Sequence, residues 1–334
     1  MRRKTRALLT AAVLVAAVFL WVRPLPAQNR WGANYFPNVT LTTQDGKQVK
    51  FYDDLLKGKT VAIYLMYTHC IDACPLETAR LAQVQRMLGD RVGKDIFFYA
   101  LSIDPKRDTP EVLKAYAEKF HVAPPAWTFL TGKKEDVDLV AKKMGLFFDP
   151  ALNRDGHSVD LMMGNESTGQ WMKTAAIDNA RFLATKISGF LGHPYSSKPG
   201  PDYAQAKPLV MTDQGHHLYT TQCAACHTIG HGDTIGPDLL GITKVRNRDW
   251  LARIIQTPDV MLKEGDPLAT ALFKKYKQIR MPNLQVDAEG AMLLINFIER
   301  QSEREESKAA PAQAPAADQP ASQPAKGGVS LHHN

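Results

Sequence analysis

A chain of 334 residues with 44% hydrophobic content is long enough for two globular cores plus tails, which excludes a wholly disordered polypeptide. Its net charge of +7 is concentrated at the start: Arg2, Arg3, Lys4, Arg6 and Arg23 all precede Ala27, and without them about +2 remains. The basic balance therefore reports targeting and argues against a nucleic-acid partner.

The targeting segment, residues 1–27, has a basic start, "MRRKTR", an uncharged apolar run from Ala7 to Val22, and "RPLPAQ", in which Leu25 and Ala27 satisfy the small-residue rule loosely. As a helix the run reaches about 24 Å, short of a hydrocarbon core of about 30 Å unless the flanking basic residues snorkel. Export to the periplasm follows. Removal as a signal peptide and retention as an anchor in the inner membrane both remain open.

From Asn38, "VTLTTQDGKQVKF" alternates around Asp45-Gly46 and predicts a hairpin. "TVAIYLMYT", Thr60 to Thr68, reads as a buried strand running into "HCIDACP", followed by a helix from Leu76 to Leu88 and a strand "DIFFYALSID". Thr109 caps the next helix, with Pro110 in its first turn. "WTFLTG", "DVDLVAKKMG", "SVDLMMG" and "QWMKTAAI" predict strand, helix, strand and strand, and Asn179 to Leu191 a closing helix. Strands and helices alternating around one sheet make an α/β layer fold over 38–191. A Pro, Ser and Gly-rich stretch, 192–208, reads as a linker. Residues 209–301 carry helical runs with no clear strand and predict a second, all-α domain. The Ala, Pro, Gln and Lys-rich 302–334 predicts a disordered tail.

All four cysteines fall in two motifs. "CAACH", Cys223 to His227, has the spacing at which two thiols form thioethers with haem vinyls while the following histidine turns under the iron. No second Cys or His cluster exists to complete a zinc site. "IRMPNL" places Met281 downstream, before the final helix "DAEGAMLLINFIE". With "LYTTQCAACH", "GPDLLGI", "DWLARIIQTP" and "RMPNL", this domain resembles a class I cytochrome c. The resemblance implies one covalent haem c held by Cys223 and Cys226, with His227 and Met281 on the iron and the Pro237 carbonyl accepting the imidazole proton. Met261 is the rival ligand, although "MLKEGDPL" lacks a following Pro and terminal helix. A Met/His pair fills the coordination sphere, so the domain is expected to move electrons to a redox partner rather than bind oxygen or peroxide.

Cys70 and Cys74 stand at the end of a strand and the start of a helix, where the helix N-terminus is expected to lower a thiol pKa and expose the sulfurs at the sheet edge. Soft thiolates prefer Cu(I), and His157 in "NRDGHSVDLMM" is the candidate third ligand; a structural disulfide is the bland alternative. His69 is expected on the opposite face from Cys70.

With "SIDPKRDTPEVLKAYAEKF" and "WTFLTG", the first domain resembles the Sco/SenC family and is expected to be thioredoxin-like. By that resemblance the copper ligands fall on Cys70, Cys74 and His157, and the client is a respiratory haem-copper oxidase subunit or its assembly factors. Ile71 stands where the family usually has Pro, and Asp155-Gly156 replaces the customary Val-Asp. The expected function is copper delivery by ligand exchange, with a fused haem whose one-electron chemistry matches Cu(II)/Cu(I) better than a two-electron disulfide step. The runner-up is a thiol-disulfide oxidoreductase in which Cys70 and Cys74 keep client cysteines reduced for metallation.

Overall fold

The computed structural model describes residues 31–71, 73–146, 159–190 and 213–309. The first domain is built on a seven-stranded sheet in the order β2-β1-β5-β4-β3-β6-β7. Its strands are β1 (Thr40–Thr43), β2 (Gln48–Lys50), β3 (Thr60–Met66), β4 (Ile96–Ser102), β5 (Trp127–Gly132), β6 (Asp160–Asn165) and β7 (Gln170–Ala175). β3, β4 and β5 run parallel, and β1 and β6 pair antiparallel on either side of them. Every residue of β3 is buried, as expected of an interior strand covered on both faces. The hairpin is wider than a two-residue turn: Thr42 pairs with Gln48, and Gly46 takes the φ of +78° that the loop requires.

Alternation along β3 divides the core. Ala62, Tyr64 and Met66 join one buried cluster with α1 (Ala73–Leu88), α2 (Pro110–Lys119) and α4 (Ala180–Thr185). Val61, Ile63 and Leu65 join the other, with α3 (Lys134–Lys143) and the wide helical turn Phe51–Leu56. Thr109 caps α2, its hydroxyl accepting from the Val112 amide at 3.5 Å. Asn179 caps α4, accepting from Arg181 and Phe182, but α4 ends at Thr185 and gives way to a wide turn, Lys186–Phe190.

The second domain is helical, as expected, with α5 (Gln214–Leu218), α6 (Ile242–Val245), α7 (Arg248–Gln256), α8 (Pro258–Lys263), α9 (Pro267–Lys275) and α10 (Ala288–Ala309). α10 continues past Gln301, where composition places the end of order. The reason is local. Ser302 is buried, its hydroxyl accepts from the Gly241 amide at 3.0 Å, and Glu306 pairs with Lys244, so the extra turns are fastened to the body of the domain. Among the described residues no helix is long and apolar enough to cross a membrane; the apolar run Ala7 to Val22 lies outside them.

The domains share buried surface. Ala225 and Ile235 belong to the same cluster as α1, and Cys70, Cys226 and Ile279 pack against it.

Candidate functional site

The first site sits at the C-terminal end of β3. Cys70 closes a turn in which its amide donates to the Tyr67 carbonyl at 3.2 Å, and α1 starts at Ala73. Both cysteines are thiols, and the Cys74 amide lies 3.4 Å from Cys70 Sγ, donating to it. Cys70 itself is outside the helix, so the pairing comes from a strand-to-helix turn rather than from two positions on one helical face.

Cys74 does not match the expectation of an exposed, acidified thiol. It is fully buried, and burial pushes its thiol far up, with Cys70 adding to the shift as hydrogen-bond partner and neighbouring charge. Desolvation here outweighs the helix dipole. Cys70 is only partly buried.

Two acidic residues that the sequence reading passed over frame this turn. Glu77, one helical turn beyond Cys74, is fully buried; burial, then Cys70 and Asp160 beside it, hold its carboxyl well above the usual carboxylate range. Asp108 accepts from the Thr68 amide at 3.1 Å, from the Thr68 hydroxyl at 2.6 Å and from the Ser102 hydroxyl at 2.6 Å. It thus pins the segment leading to Cys70 to the end of β4. The signal for Glu77 was its place, three residues from Cys74, on a face that helical periodicity sends inward. His69 is exposed, its Nε2 accepting from Arg107 at 3.0 Å with Asp104 3.8 Å away. Among the described residues no three His, Cys, Asp or Glu side chains converge on one point, and His157 lies outside them.

The second site is a cavity of about 520 Å³ lined by Cys226, His227 and Met281 with apolar side chains such as Ile254, Leu262 and Phe273. Cys223 ends the wide turn Tyr219–Cys223, and its carbonyl accepts from the amides of Cys226 and His227. His227 Nδ1 lies 2.9 Å from the Pro237 carbonyl. A carbonyl only accepts, so Nδ1 carries the proton and the Nε2 lone pair is left for a ligand. Burial lowers the His227 pKa, with the bond to Pro237 opposing it.

Gly236 leaves room for this ring: a Cβ there would meet His227 Cε1 at 2.8 Å. Burial raises Cys223 to about 12 and Cys226 to about 11, with Arg80 pulling both back. Asn283 donates to Asp259 of α8 at 2.8 Å and holds the Met281 loop over the cavity. Met261 is fully buried in α8, whose Pro258 and Leu262 form the wall instead. An apolar chamber lined by the Cys226 thiol, a pre-set imidazole and a thioether, with Cys223 three residues before Cys226 in the chain, suits a haem attached through Cys223 and Cys226.

Comparison with known proteins follows the same division. The SCO1/SenC family model matches residues 28–188 and the cytochrome c model residues 212–302. The mitochondrial protein SCO2 of Saccharomyces cerevisiae is 41% identical over 108 residues, 32% of this chain and 34% of that protein. A SCO2-like protein of Rickettsia prowazekii is 32% identical over 135 residues, covering 38% of this chain and 63% of the relative. The chain thus spans about a third of the yeast relative and under two thirds of the rickettsial one. Among solved structures, a SCO1/SenC family lipoprotein from Bacillus anthracis aligns over 49% of this chain and 99% of its own, at 29% identity and a TM-score of 0.41. The chain joins an α/β domain that matches the SCO1/SenC family over residues 28–188 to a helical domain that matches the cytochrome c family over residues 212–302.

Proposed function

We propose that this protein is an exported copper chaperone for a respiratory haem-copper oxidase, carrying a fused c-type haem for one-electron exchange. Copper is the cargo. It is held by Cys70, Cys74 and His157 and passed by ligand exchange to client thiolates. The observation that carries this reading is the Cys70 and Cys74 pair, brought together by the strand-to-helix turn of a SCO1/SenC domain. Paired sulfurs select a soft monovalent ion, and an imidazole completes a three-coordinate site.

In the second domain, Cys223 and Cys226 would attach the haem, and His227 and Met281 would ligate its iron. Such a group supplies one-electron exchange at the raised potential that a Met/His pair sets. What supports this is the placement of Cys226, His227 and Met281 around one apolar cavity and the proton that Pro237 fixes on His227 Nδ1.

Metal analysis of the purified full chain under reducing conditions, with copper counted against haem, tests the reading. Wild type is expected to carry one copper per haem, Cys70→Ser with Cys74→Ser none, and His157→Ala much less than wild type. Copper equal in all three would remove the chaperone assignment.

A thiol-disulfide oxidoreductase is the second reading, favoured by the hydrogen bond between the two cysteines. It needs both thiols and tolerates loss of His157. Full reductase activity in His157→Ala, with no copper bound by wild type, would select it.

A further inference from the structure

The haem cavity has one wall that does not belong to the cytochrome c domain. Ile71, directly after Cys70, is the lining residue contributed from before residue 213 among the described residues. It is 52% exposed, an apolar side chain held in the open beside the half-buried Cys70. Ile71 and Cys226 line the same cavity, and Cys70 and Cys226 pack against the same buried cluster, so the thiol turn borders the chamber beside the attachment segment.

Two further contacts bracket this wall. Arg80 of α1 is 1% exposed and donates to the carbonyls of Thr220, at 3.4 Å, and Thr221, on the segment that leads to Cys223. Lys277, on the loop before Met281, donates to the Glu118 carbonyl at the end of α2 at 2.9 Å. Both shores of the cavity, the proximal one at Cys223 to His227 and the distal one at Met281, are therefore moored to the SCO1/SenC domain.

We propose that the thiol turn of the SCO1/SenC domain is the cavity's own docking partner, with Ile71 as its apolar cover. The proposal rests on the haem reading given above and extends it. The edge of a group bound in the cavity is shielded at that point by a residue adjacent to Cys70, so rearrangement of the thiol turn on taking up or releasing cargo changes the polarity around the haem. A redox group surrounded by apolar side chains holds the more oxidised, more charged state less well, and its potential responds to exposure and to nearby charge.

The test uses the full chain, haem-loaded, thiols reduced and free of copper. A haem spectrum of the denatured protein first establishes thioether attachment, and the midpoint potential is then measured for wild type, Ile71→Ser, Ile71→Glu and Leu139→Glu. Leu139 is an exposed apolar residue of α3, on the other face of the sheet. The potential is expected to fall in Ile71→Ser, fall further in Ile71→Glu, and keep its wild-type value in Leu139→Glu. Ile71 variants indistinguishable from wild type, or a Leu139→Glu shift as large as theirs, would overturn the cover while leaving the haem assignment standing. A protein without thioether-bound haem would overturn the haem assignment itself, and the cover with it.

Discussion

The guanidinium of Arg80 in α1 donates to the backbone carbonyl of Thr221, so a helix whose first turn holds Cys74 grips the segment that ends in Cys223. Burial pulls this guanidinium's pKa down, and the nearby Cys226 and Cys223 pull it up. An arginine on an interior helical face makes sense only with acceptors to match, and here Gln83 of the same helix supplies one and the carbonyls of Thr220 and Thr221, in the other domain, supply the rest. Arg80→Met keeps the apolar stem and strands the carbonyls of Thr220 and Thr221, at a cost of about 2 kcal/mol. Calorimetry of the full chain is expected to resolve two unfolding transitions in the variant where wild type shows a merged one. An unchanged thermogram would deny the contact any part in docking.

Asp108 collects three donors from Thr68 and Ser102 and so fixes the backbone entering Cys70. Asp108→Asn replaces a doubly accepting carboxylate with an amide that can satisfy only part of that set, at about 1–3 kcal/mol. The expected result is weaker copper retention by the purified protein with an unaltered haem spectrum. Equal copper retention in both proteins would show that the turn holds its shape without this clamp.

Gly236 has ordinary backbone angles, and what it supplies is space. The Cβ of Gly236→Ala would press on His227 Cε1 at 2.8 Å and on Nδ1 at 3.1 Å, displacing the ring from Pro237 or forcing the loop outward. Overpacking of this kind costs about 1–3 kcal/mol. The variant is expected to attach haem yet show altered axial ligation in its ferric absorption spectrum. A wild-type spectrum would mean that the loop relaxes freely around the extra methyl.

Asp233 joins the loop before Gly236 to the end of α9. It accepts from the Asp238 amide at 2.9 Å, from the Tyr276 hydroxyl at 2.7 Å and from Lys275 at 3.2 Å, and these bonds, the amide foremost, lower its pKa from 3.8 to about 2. A folded-state value below the unfolded one contributes stability that is complete above 3.8 and lost as the pH falls toward 2. Asp233→Asn is expected to flatten the acid limb of thermal stability in that window. Parallel melting curves for variant and wild type across it would count against the assignment.

Most of the first domain was legible because its central strands β3 and β4 are apolar runs and caps such as Thr109 and Asn179 act locally. The pairing of Cys70 with Cys74 was legible through motif spacing, and that of His227 with Pro237 through the resemblance to class I cytochromes c. What sequence could not reveal depends on tertiary surroundings. The Cys74 thiol shift follows from burial that neighbours impose, and α10 outlasts its apolar stripe because Gly241 and Lys244 meet Ser302 and Glu306 across space. The cross-domain contacts of Arg80 and Ile71 carry no motif, since the residues they meet there lie far along the chain.

Cys226 is half-buried: it packs against the cluster to which α1 contributes and also lines the cavity. One residue thus belongs both to the seam between the domains and to the chamber, so parting the two halves would open the chamber's wall to water.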